Sequence, residues 1–335
     1  MVFFLFALPL ELSAQERTNT TPETQGNFEI IQKERGGFFP GIYFTDVIEA
    51  AISRENSSPF WVRTYAEQEA YNRMVTDYMS IILNNDILAY YGHPRSRQMG
   101  ILGRFPMDEL HRQLKVTAAR YEAVNGGRPV KIAFYIIFGT AWPEGEIGVI
   151  NQDLLRTWVE YALENDILVF LDHQIGRHDP IASLSRMFSW LRYPNVHLAL
   201  DPEWRTRRPM LEIGHLTAEE INRAQQVMEN YMYDNDITGE RILIIHQFNW
   251  RMIINRDDVI SNFRRVRLVH HISGIGTPTE KIGTYAHHGA RAMNIPVKGF
   301  KLWYDFNIPG HRDHPLMSPA DVMELVPRPY IIMYQ

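Results

Sequence analysis

Eight short β-rich runs, separated by longer segments with helical periodicity, constrain the fold of this chain most strongly. The runs cover residues 87–93, 130–139, 167–174, 195–203, 241–248, 267–274, 297–305 and 330–335. Parallel strands need long crossover connections, which are usually helices. The repeated alternation, without an antiparallel hairpin signal, predicts an α/β fold with a single (β/α)8 barrel. A doubly wound open sheet is the main alternative.

The segments between the runs carry helix signals. Helices are predicted over residues 107–124, 151–165, 217–235, 277–294 and 318–326. Thr217 with Glu220, and Thr277 with Glu280, have the spacing of a capping box. No final helix is expected after the eighth strand, and the helical segment 64–85 is expected to cover that side of the barrel.

The N-terminal region predicts an export signal. Residues 2–10 form an apolar run that is too short to span a bilayer, and the small residue Ala14 is followed by a polar stretch. We therefore expect a signal peptide at 1–14, a polar linker at 15–26, an N-terminal cap with the barrel-closing helix at 27–84, and the barrel at 85–335. No Lys or Arg precedes the apolar run, so the alternative is the apolar N-terminus of a cytosolic protein.

Composition excludes several function classes. The net charge of −5 argues against a broad nucleic-acid-binding surface. The absence of cysteine excludes disulfides, thiolate metal sites and a cysteine nucleophile. No Gly-rich phosphate loop or Gly-x-Ser-x-Gly motif is present, which argues against a nucleotide enzyme and a nucleophile-elbow esterase. We predict no cofactor and no transmembrane segment beyond the signal, and the oligomeric state stays open.

Carboxylates follow the third and fourth predicted strands, at the barrel end where such enzymes place their sites. Strand alternation turns Asp172 and Gln174 inward, and it places Asp201 and Glu203 together with Cα atoms about 6.6 Å apart. When carboxylates lie this close together, their mutual repulsion raises the pKa of at least one of them. A protonated acid beside an ionised carboxylate is what glycosidic cleavage requires. Asp172, Asp201 and Glu203 are therefore the predicted catalytic residues, with Glu203 as the acid/base.

Aromatic and polar side chains near the strand ends suit a sugar-binding cleft, because indole rings pack on the apolar faces of sugars. The expected substrate-binding residues are Tyr91, His93, Trp142, Gln174, Trp204, His246, Gln247, Trp250, Lys301, Trp303 and Asp305. One alternative is ordinary loop packing for each Trp. Another is a buried polar network in which Lys301 neutralises the two aspartates.

Histidines near the strand ends give a rival hypothesis, a metal-dependent hydrolase or deacetylase. The histidines and one further aspartate in question are His93, His173, His246, His270, His311, Asp313 and His314. No His-x-His pair stands at a strand end, and strand alternation favours an outward His173, so no metal site is predicted. A third hypothesis is a glycan-binding barrel without catalysis.

The sequence resembles known proteins in two respects. The stretches 90–103, 169–176, 196–205, 242–249 and 299–305 resemble a family of secreted bacterial proteins, including lipoproteins, with a glycosidase-like barrel. That resemblance covers most of residues 85–335. It implies secretion to the periplasm, cell surface or medium of a bacterium, and it implies no activity.

The second resemblance concerns strand four alone. Asp201 and Glu203 are similar to the strand-four motif of barrel glycosidases that cleave amino-sugar polymers, in which the Glu is the acid and the Asp orients it. The longer Asp-rich run of the chitinase motif is absent. The sequence thus predicts a secreted glycoside hydrolase-like barrel acting on a polysaccharide or cell-envelope glycan. The glycan, its linkage and the stereochemical course stay open.

Overall fold

The computed structural model describes residues 80–307, 310 and 312–335. In that range, eight parallel strands form a barrel: β1 (Asp86–His93), β2 (Val130–Ala141), β3 (Leu168–Gln174), β4 (Val196–Asp201), β5 (Arg241–Gln247), β6 (Val266–Ile272), β7 (Lys298–Leu302) and β8 (Ile331–Tyr334). Each strand pairs with the next in parallel, and β8 pairs with β1, so the sheet closes. The predicted (β/α)8 fold class is confirmed.

Alternation along the strands divides the core into two layers. Inward-facing side chains such as Ala89, Phe170, Ile244 and Met333 fill the barrel. Outward-facing side chains of the same strands pack against the helices in a larger, separate apolar cluster. A barrel interior filled with side chains is a solid core, so a ligand can reach it only from an end.

All of the described helices except the first cover the outside of the barrel, and the first packs Ile82 against the inner layer. The helices are α1 (Ile81–Asn84), α2 (Met107–Glu122), α3 (Gln152–Glu164), α4 (Pro180–Ser185), α5 (Ala218–Asp234), α6 (Pro278–Thr284) and α7 (Pro319–Met323). A π-helix, Tyr285–Ala290, continues α6. Both predicted capping boxes form, at Thr217 and at Thr277. Within the part of the chain that is described, none of the helices is long and apolar enough to cross a membrane.

The predicted signal peptide at 1–14, the linker and most of the cap lie outside the described residues. Of the helix expected over 64–85, the described part contains the short helix α1, which leads directly into β1. These expectations about the N-terminal region therefore remain predictions.

Short antiparallel strands extend two of the barrel strands, although the sequence showed no hairpin signal. Ser96–Gly100 pairs with the end of β1, and Ile147–Val149 pairs with the end of β2. Gly100 permits the first hairpin: its φ is +107°, and a Cβ there would lie 2.3 Å from the carbonyl oxygen of Tyr91. Both hairpins stand at the C-terminal end of the barrel.

The expected strand–helix alternation fails between β5 and β6. That segment holds 3-10 turns at Trp250–Met252 and Arg256–Asp258, and the short strand Ile253–Ile254, which pairs with Leu216–Thr217. Asn255 has a left-handed φ of 54°, which a continuous helix does not accommodate. The segment instead forms a compact loop at the C-terminal end of the barrel.

Gly299 of β7 leaves room for an imidazole inside the barrel. A Cβ at this position would lie 2.2 Å from Cδ2 of the His271 ring on β6. Gly299→Ala should therefore lower the free energy of unfolding by about 1–3 kcal/mol, the usual result of overpacking a core. Urea denaturation measures this loss.

Gly283 on α6 provides the matched control. A Cβ there meets no atom within 4 Å, and alanine favours a helix over glycine by up to about 1 kcal/mol. Gly283→Ala should leave stability unchanged or raise it. Equal stability of the two variants would contradict the close packing of His271 against β7.

Candidate active site

The carboxylates predicted from the sequence lie at the C-terminal end of the barrel, on neighbouring strands. Asp172 is on β3, and Asp201 is the last residue of β4. In the strand register Asp201 lies opposite Gln174, and Asp172 lies opposite Ala199. Since Ala199 belongs to the inner layer, the two aspartates also face the barrel interior. The predicted inward orientation thus follows from strand geometry alone.

Asp172 is completely buried. The hydroxyl of Tyr91 donates a hydrogen bond to its Oδ2 at 3.0 Å, and its Oδ1 has no partner among the described residues. Burial and the nearby charge of Asp201 raise the pKa of Asp172 to about 8, against smaller lowering effects of Tyr91 and Lys301. Asp172 is therefore protonated at neutral pH.

Asp201 is 7% exposed and is the most acidic of the three carboxyl groups. Burial raises its pKa to about 6, and Lys301 opposes that rise most strongly. Hydrogen bonds from the backbone N–H of Glu203 and from the indole of Trp204 also stabilise the ionised form. Asp201 is thus mainly a carboxylate at neutral pH.

Glu203 does not continue the strand, as the sequence-based alternation assumed. Pro202–Trp204 forms a 3-10 turn, because proline fixes its own φ and cannot donate to the next strand. The turn is held by the backbone N–H of Gly214, which donates to the carbonyl of Glu203 at 2.7 Å. Glu203 is partly buried, and burial together with the charge of Asp201 raises its pKa to about 8.

Lys301 of β7 provides the cation of the cluster. Its Nζ lies 4.1 Å from the centre of the Trp303 ring and 4.2 Å from that of Tyr91. Burial lowers the pKa of Lys301 to about 8, although Asp201, then Asp172 and Glu203, favour its charged form. The cluster thus combines one amine with three carboxyl groups, and Asp201 is the carboxyl group whose pKa burial raises least.

His246 completes the inner face of the site and is neutral. Its Nε2 is 2.7 Å from the hydroxyl of Tyr135, its Nδ1 has no partner among the described residues, and its ring meets that of His271 edge-on at 5.0 Å. Burial, His271 and Lys301 hold its pKa well below the usual value. Sequence reasoning missed Tyr135, although strand alternation places it inward with Ala133 and Ile137 on β2.

One group of side chains could hold a metal ion. Asp172, Asp201 and His246 each offer a ligand atom, these atoms lie within 4.8 Å of one another, and all three residues are buried. Each of the three has an atom without a partner among the described residues. The donor set suits a divalent cation. The ammonium of Lys301, however, already balances charge at the same carboxylates.

A buried ion pair fixes the end of β7 from outside the barrel. Lys281 Nζ lies 3.0 Å from Asp313 Oδ2, and both side chains are buried. Lys281 also donates to the carbonyl of Lys301 at 2.7 Å, while Asp313 accepts from the backbone N–H of Trp303 at 2.9 Å. The pair thus orients Lys301 and Trp303, and it gives Asp313 a structural role in place of the metal-binding one considered above.

The remaining predicted polar residues divide into two groups. Gln174 stays near the carboxylates and accepts a hydrogen bond from the backbone of Ala141 at 2.8 Å, and His93 is half-buried next to Tyr91. Gln247 faces the helices instead, where it pairs with His270 at 2.7 Å. Strand alternation explains this result, because His246 faces inward and its neighbour must face outward.

Asp305 also makes its contacts away from the three carboxylates. It is exposed and pairs with Arg312 at 2.7 Å. β7 ends at Leu302, so Asp305 lies in the following loop, where the sequence-based strand had extended to 305. The structure gives it no contact with the catalytic candidates.

The other histidines of the metal hypothesis do not join the cluster. His173 faces outward and packs beside Phe138 with ring centres 5.9 Å apart, and His270 is held by Gln247. His314 is exposed, and His311 lies outside the described residues. Of the histidines in that hypothesis that are described, His246 alone contributes a ligand atom to the metal-compatible group.

The four rim tryptophans have two different environments. Trp204 and Trp303 are partly buried beside the charged groups, and Trp303 donates to the carbonyl of Ser273 at 3.3 Å. Trp142 and Trp250 are exposed by 57% and 63%. Trp142 follows β2 and Trp250 follows β5, so these two exposed rings flank the ends of β3 and β4, which carry the carboxylates.

Comparison with known proteins finds similar solved structures but no family. No model of a known protein family and no curated protein matches the chain. Among solved structures, a Bacillus subtilis mannanase aligns over 79% of this chain and 85% of its own, with 12% sequence identity and a TM-score of 0.43.

The buried Asp172 should make stability depend on pH. Its pKa rises from an ordinary 3.8 to about 8 on folding, so folding favours the protonated form, and this contribution is lost as the pH rises through that interval. Asn cannot ionise but can still accept from Tyr91. The melting temperature of Asp172→Asn minus that of the unmodified protein should be at least about 2–4 °C larger at pH 9 than at pH 5. This difference corresponds to about 1 kcal/mol.

Asp234→Asn on α5 is the control for this experiment, because Asp234 is exposed to solvent. Calorimetry at both pH values measures the two differences. A melting-temperature difference for Asp172→Asn that does not change with pH, like the difference expected for the control, would show that Asp172 is ionised in the folded protein.

Proposed function

We propose that this protein is a glycoside hydrolase that cleaves a polysaccharide or a cell-envelope glycan. The observation that carries the proposal is the placement of two carboxyl groups at the C-terminal end of β4: buried Asp201 ends the strand, and partly exposed Glu203 follows it on a 3-10 turn. Burial raises the pKa of both groups, to about 8 for Glu203 and to about 6 for Asp201. Glycosidic cleavage uses such a pair, in which one group donates a proton and the other is negative.

Glu203 would act as the general acid. Of the three carboxyl groups it is the most accessible, and at neutral pH it holds the proton that a departing sugar oxygen requires. As that proton leaves, positive charge develops on the sugar ring. The ionised carboxylate of Asp201 would stabilise this charge or attack the ring directly.

Asp172 and Lys301 would act through Asp201. Asp172 is fully buried, so in this conformation it does not reach a sugar. It stays protonated and anchored by Tyr91, which leaves the negative charge on Asp201. Lys301 lowers the pKa of Asp201 against the effect of burial. We assign both residues a positioning and electrostatic role.

Aromatic side chains would hold the sugar chain across the ends of β3 and β4. The exposed rings of Trp142 and Trp250 flank these strand ends, and partly buried Trp204 and Trp303 lie beside the charged groups. Indole faces of this kind pack well on the apolar faces of sugars. Export of the protein through residues 1–14 is part of the same proposal and is consistent with an extracellular glycan as substrate.

A metal-dependent hydrolase is the second candidate, and the group formed by Asp172, Asp201 and His246 favours it. A divalent cation there would activate water for attack on an ester or amide. We rank this candidate lower, because Lys301 supplies positive charge at the same carboxylates and Asp172 is sealed from solvent.

Glu203→Gln should reduce glycan cleavage by at least about 100-fold, the usual contribution of a general acid, because an amide cannot donate the required proton. Release of reducing ends from a panel of polysaccharides measures the activity. The exposed Glu219 on α5 supplies the control, and Glu219→Gln should retain full activity.

Two further results separate the candidates. A glycosidase keeps its activity after exhaustive chelation, whereas loss of activity that zinc restores would identify the metal-dependent alternative. Full cleavage by Glu203→Gln would remove Glu203 from the mechanism. Glycan binding without any product from the unmodified protein would instead define a non-catalytic binding barrel.

A further inference from the structure

We propose that the glycan is acidic and that its anionic groups bind in an arginine-lined cavity next to Glu203. This inference rests on the proposed function for the cleavage step and adds the class of substrate. The cavity has a volume of about 1060 Å³ and is formed by the loops that follow β3, β4 and β5. It is large enough to hold several sugar units.

The cavity is joined directly to the segment that carries the proposed acid. Gly214 lines the cavity and donates its backbone N–H to the carbonyl of Glu203 at 2.7 Å. Gly176, another lining residue, donates to the carbonyl of Trp204 at 3.0 Å. A chain that occupies the cavity would therefore extend along the turn that presents Glu203.

The lining is strongly basic, in contrast to the acidic chain as a whole. Its arginines are Arg177, Arg205, Arg207, Arg208 and Arg251, and two histidines accompany them. Two carboxylates oppose them, Asp179 and Glu212. Since the whole chain has a net charge of −5, this concentration of positive charge is local. It would attract a polyanion to one end of the barrel.

The arginines have two different roles. Arg205 pairs with Glu220 at 2.6 Å, Arg208 pairs with Glu212 at 2.9 Å, and Arg177 pairs with Glu146, so these three have a carboxylate partner within the protein. Arg207 and Arg251 are exposed, and neither forms an ion pair with a described residue. Their guanidinium groups are therefore the ones available to a ligand.

Arginine is well suited to an acidic sugar. Its planar guanidinium donates two parallel hydrogen bonds to a carboxylate, and it binds sulfate oxygens in a similar way. The exposed Trp250 precedes Arg251 and lies with its ring centre 5.3 Å from the guanidinium carbon, so a flat apolar surface stands beside the cation. This combination matches a uronic acid or a sulfated sugar, which has an apolar ring face and an anionic group.

The test uses the full chain with Glu203→Gln, so that binding is measured without cleavage. The probes are an oligogalacturonide and its methyl ester, which share one backbone and differ in charge, together with dextran sulfate and neutral dextran. Calorimetric titration should show that at least one anionic probe binds about tenfold or more tightly than its neutral counterpart. Affinity should fall as the ionic strength rises. The two pairs distinguish carboxylate from sulfate recognition.

Arginine variants locate the binding. Arg207→Gln and Arg251→Gln should each weaken binding of the preferred anionic probe about tenfold. Arg223→Gln, which removes an exposed arginine of α5 that does not line the cavity, should leave binding unchanged. Thermal denaturation of all three variants confirms that each is folded.

The outcomes for this inference and for the proposed function are distinct. Equal binding of charged and neutral probes, or equal losses for Arg223→Gln and the two cavity variants, would overturn the acidic-glycan inference. Binding of a single-stranded DNA oligonucleotide as tight as that of the sugars would also overturn it. Anionic binding that depends on Arg207 and Arg251, without cleavage by the unmodified protein, would uphold the inference and contradict the proposed hydrolase.

Discussion

The burial of Lys301 among three carboxyl groups is the interaction on which the site depends. Removing charges from water is costly, and a barrel interior tolerates them only when they compensate each other. Here Asp201 pairs electrostatically with the ammonium, whereas Asp172 and Glu203 avoid the cost by keeping their protons. The compensation of charge that lets these groups be buried also places a protonated acid beside a carboxylate.

Contacts on both sides of β7 fix the position of Lys301. Inside the barrel, the missing side chain at Gly299 admits the ring of His271, which packs against His246. Outside, Lys281 and Asp313 bond to the backbone of Lys301 and Trp303. Lys301 is thereby placed against the rings of Tyr91 and Trp303, where a cation gains from both π-faces. The position of Lys301 thus depends on the packing of neighbouring residues that do not belong to the carboxylate cluster.

Periodicity alone was enough to predict the barrel and the inward direction of Asp172 and Asp201, because strand alternation allows no other orientation once the strand is known. The same rule would have found Tyr135. It failed at Glu203, where Pro202 ends β4 and begins a 3-10 turn. Gln247 was wrongly expected to bind sugar although the same rule excludes it, because its neighbour His246 faces inward and Gln247 must face the helices.

Features that depend on distant pairing were not visible in the sequence. The ion pair between Lys281 and Asp313 joins helix α6 to the loop after β7, and the arginine-lined cavity is assembled from the segments after three different strands. Neither has a local pattern, because only closure of the barrel brings those segments together. Sequence patterns are therefore informative about strands and their faces, and much less so about the loops that build a binding site.

Glu203 should hold its proton at a pH where Asp201 has lost its own. Carbon-13 NMR of labelled side-chain carboxyl groups, titrated with pH and assigned with Asp201→Asn and Glu203→Gln, tests this expectation without requiring a substrate. Glu203 should titrate near pKa 8 and Asp201 near pKa 6. Titration of Glu203 at or below the pKa of Asp201 would contradict it.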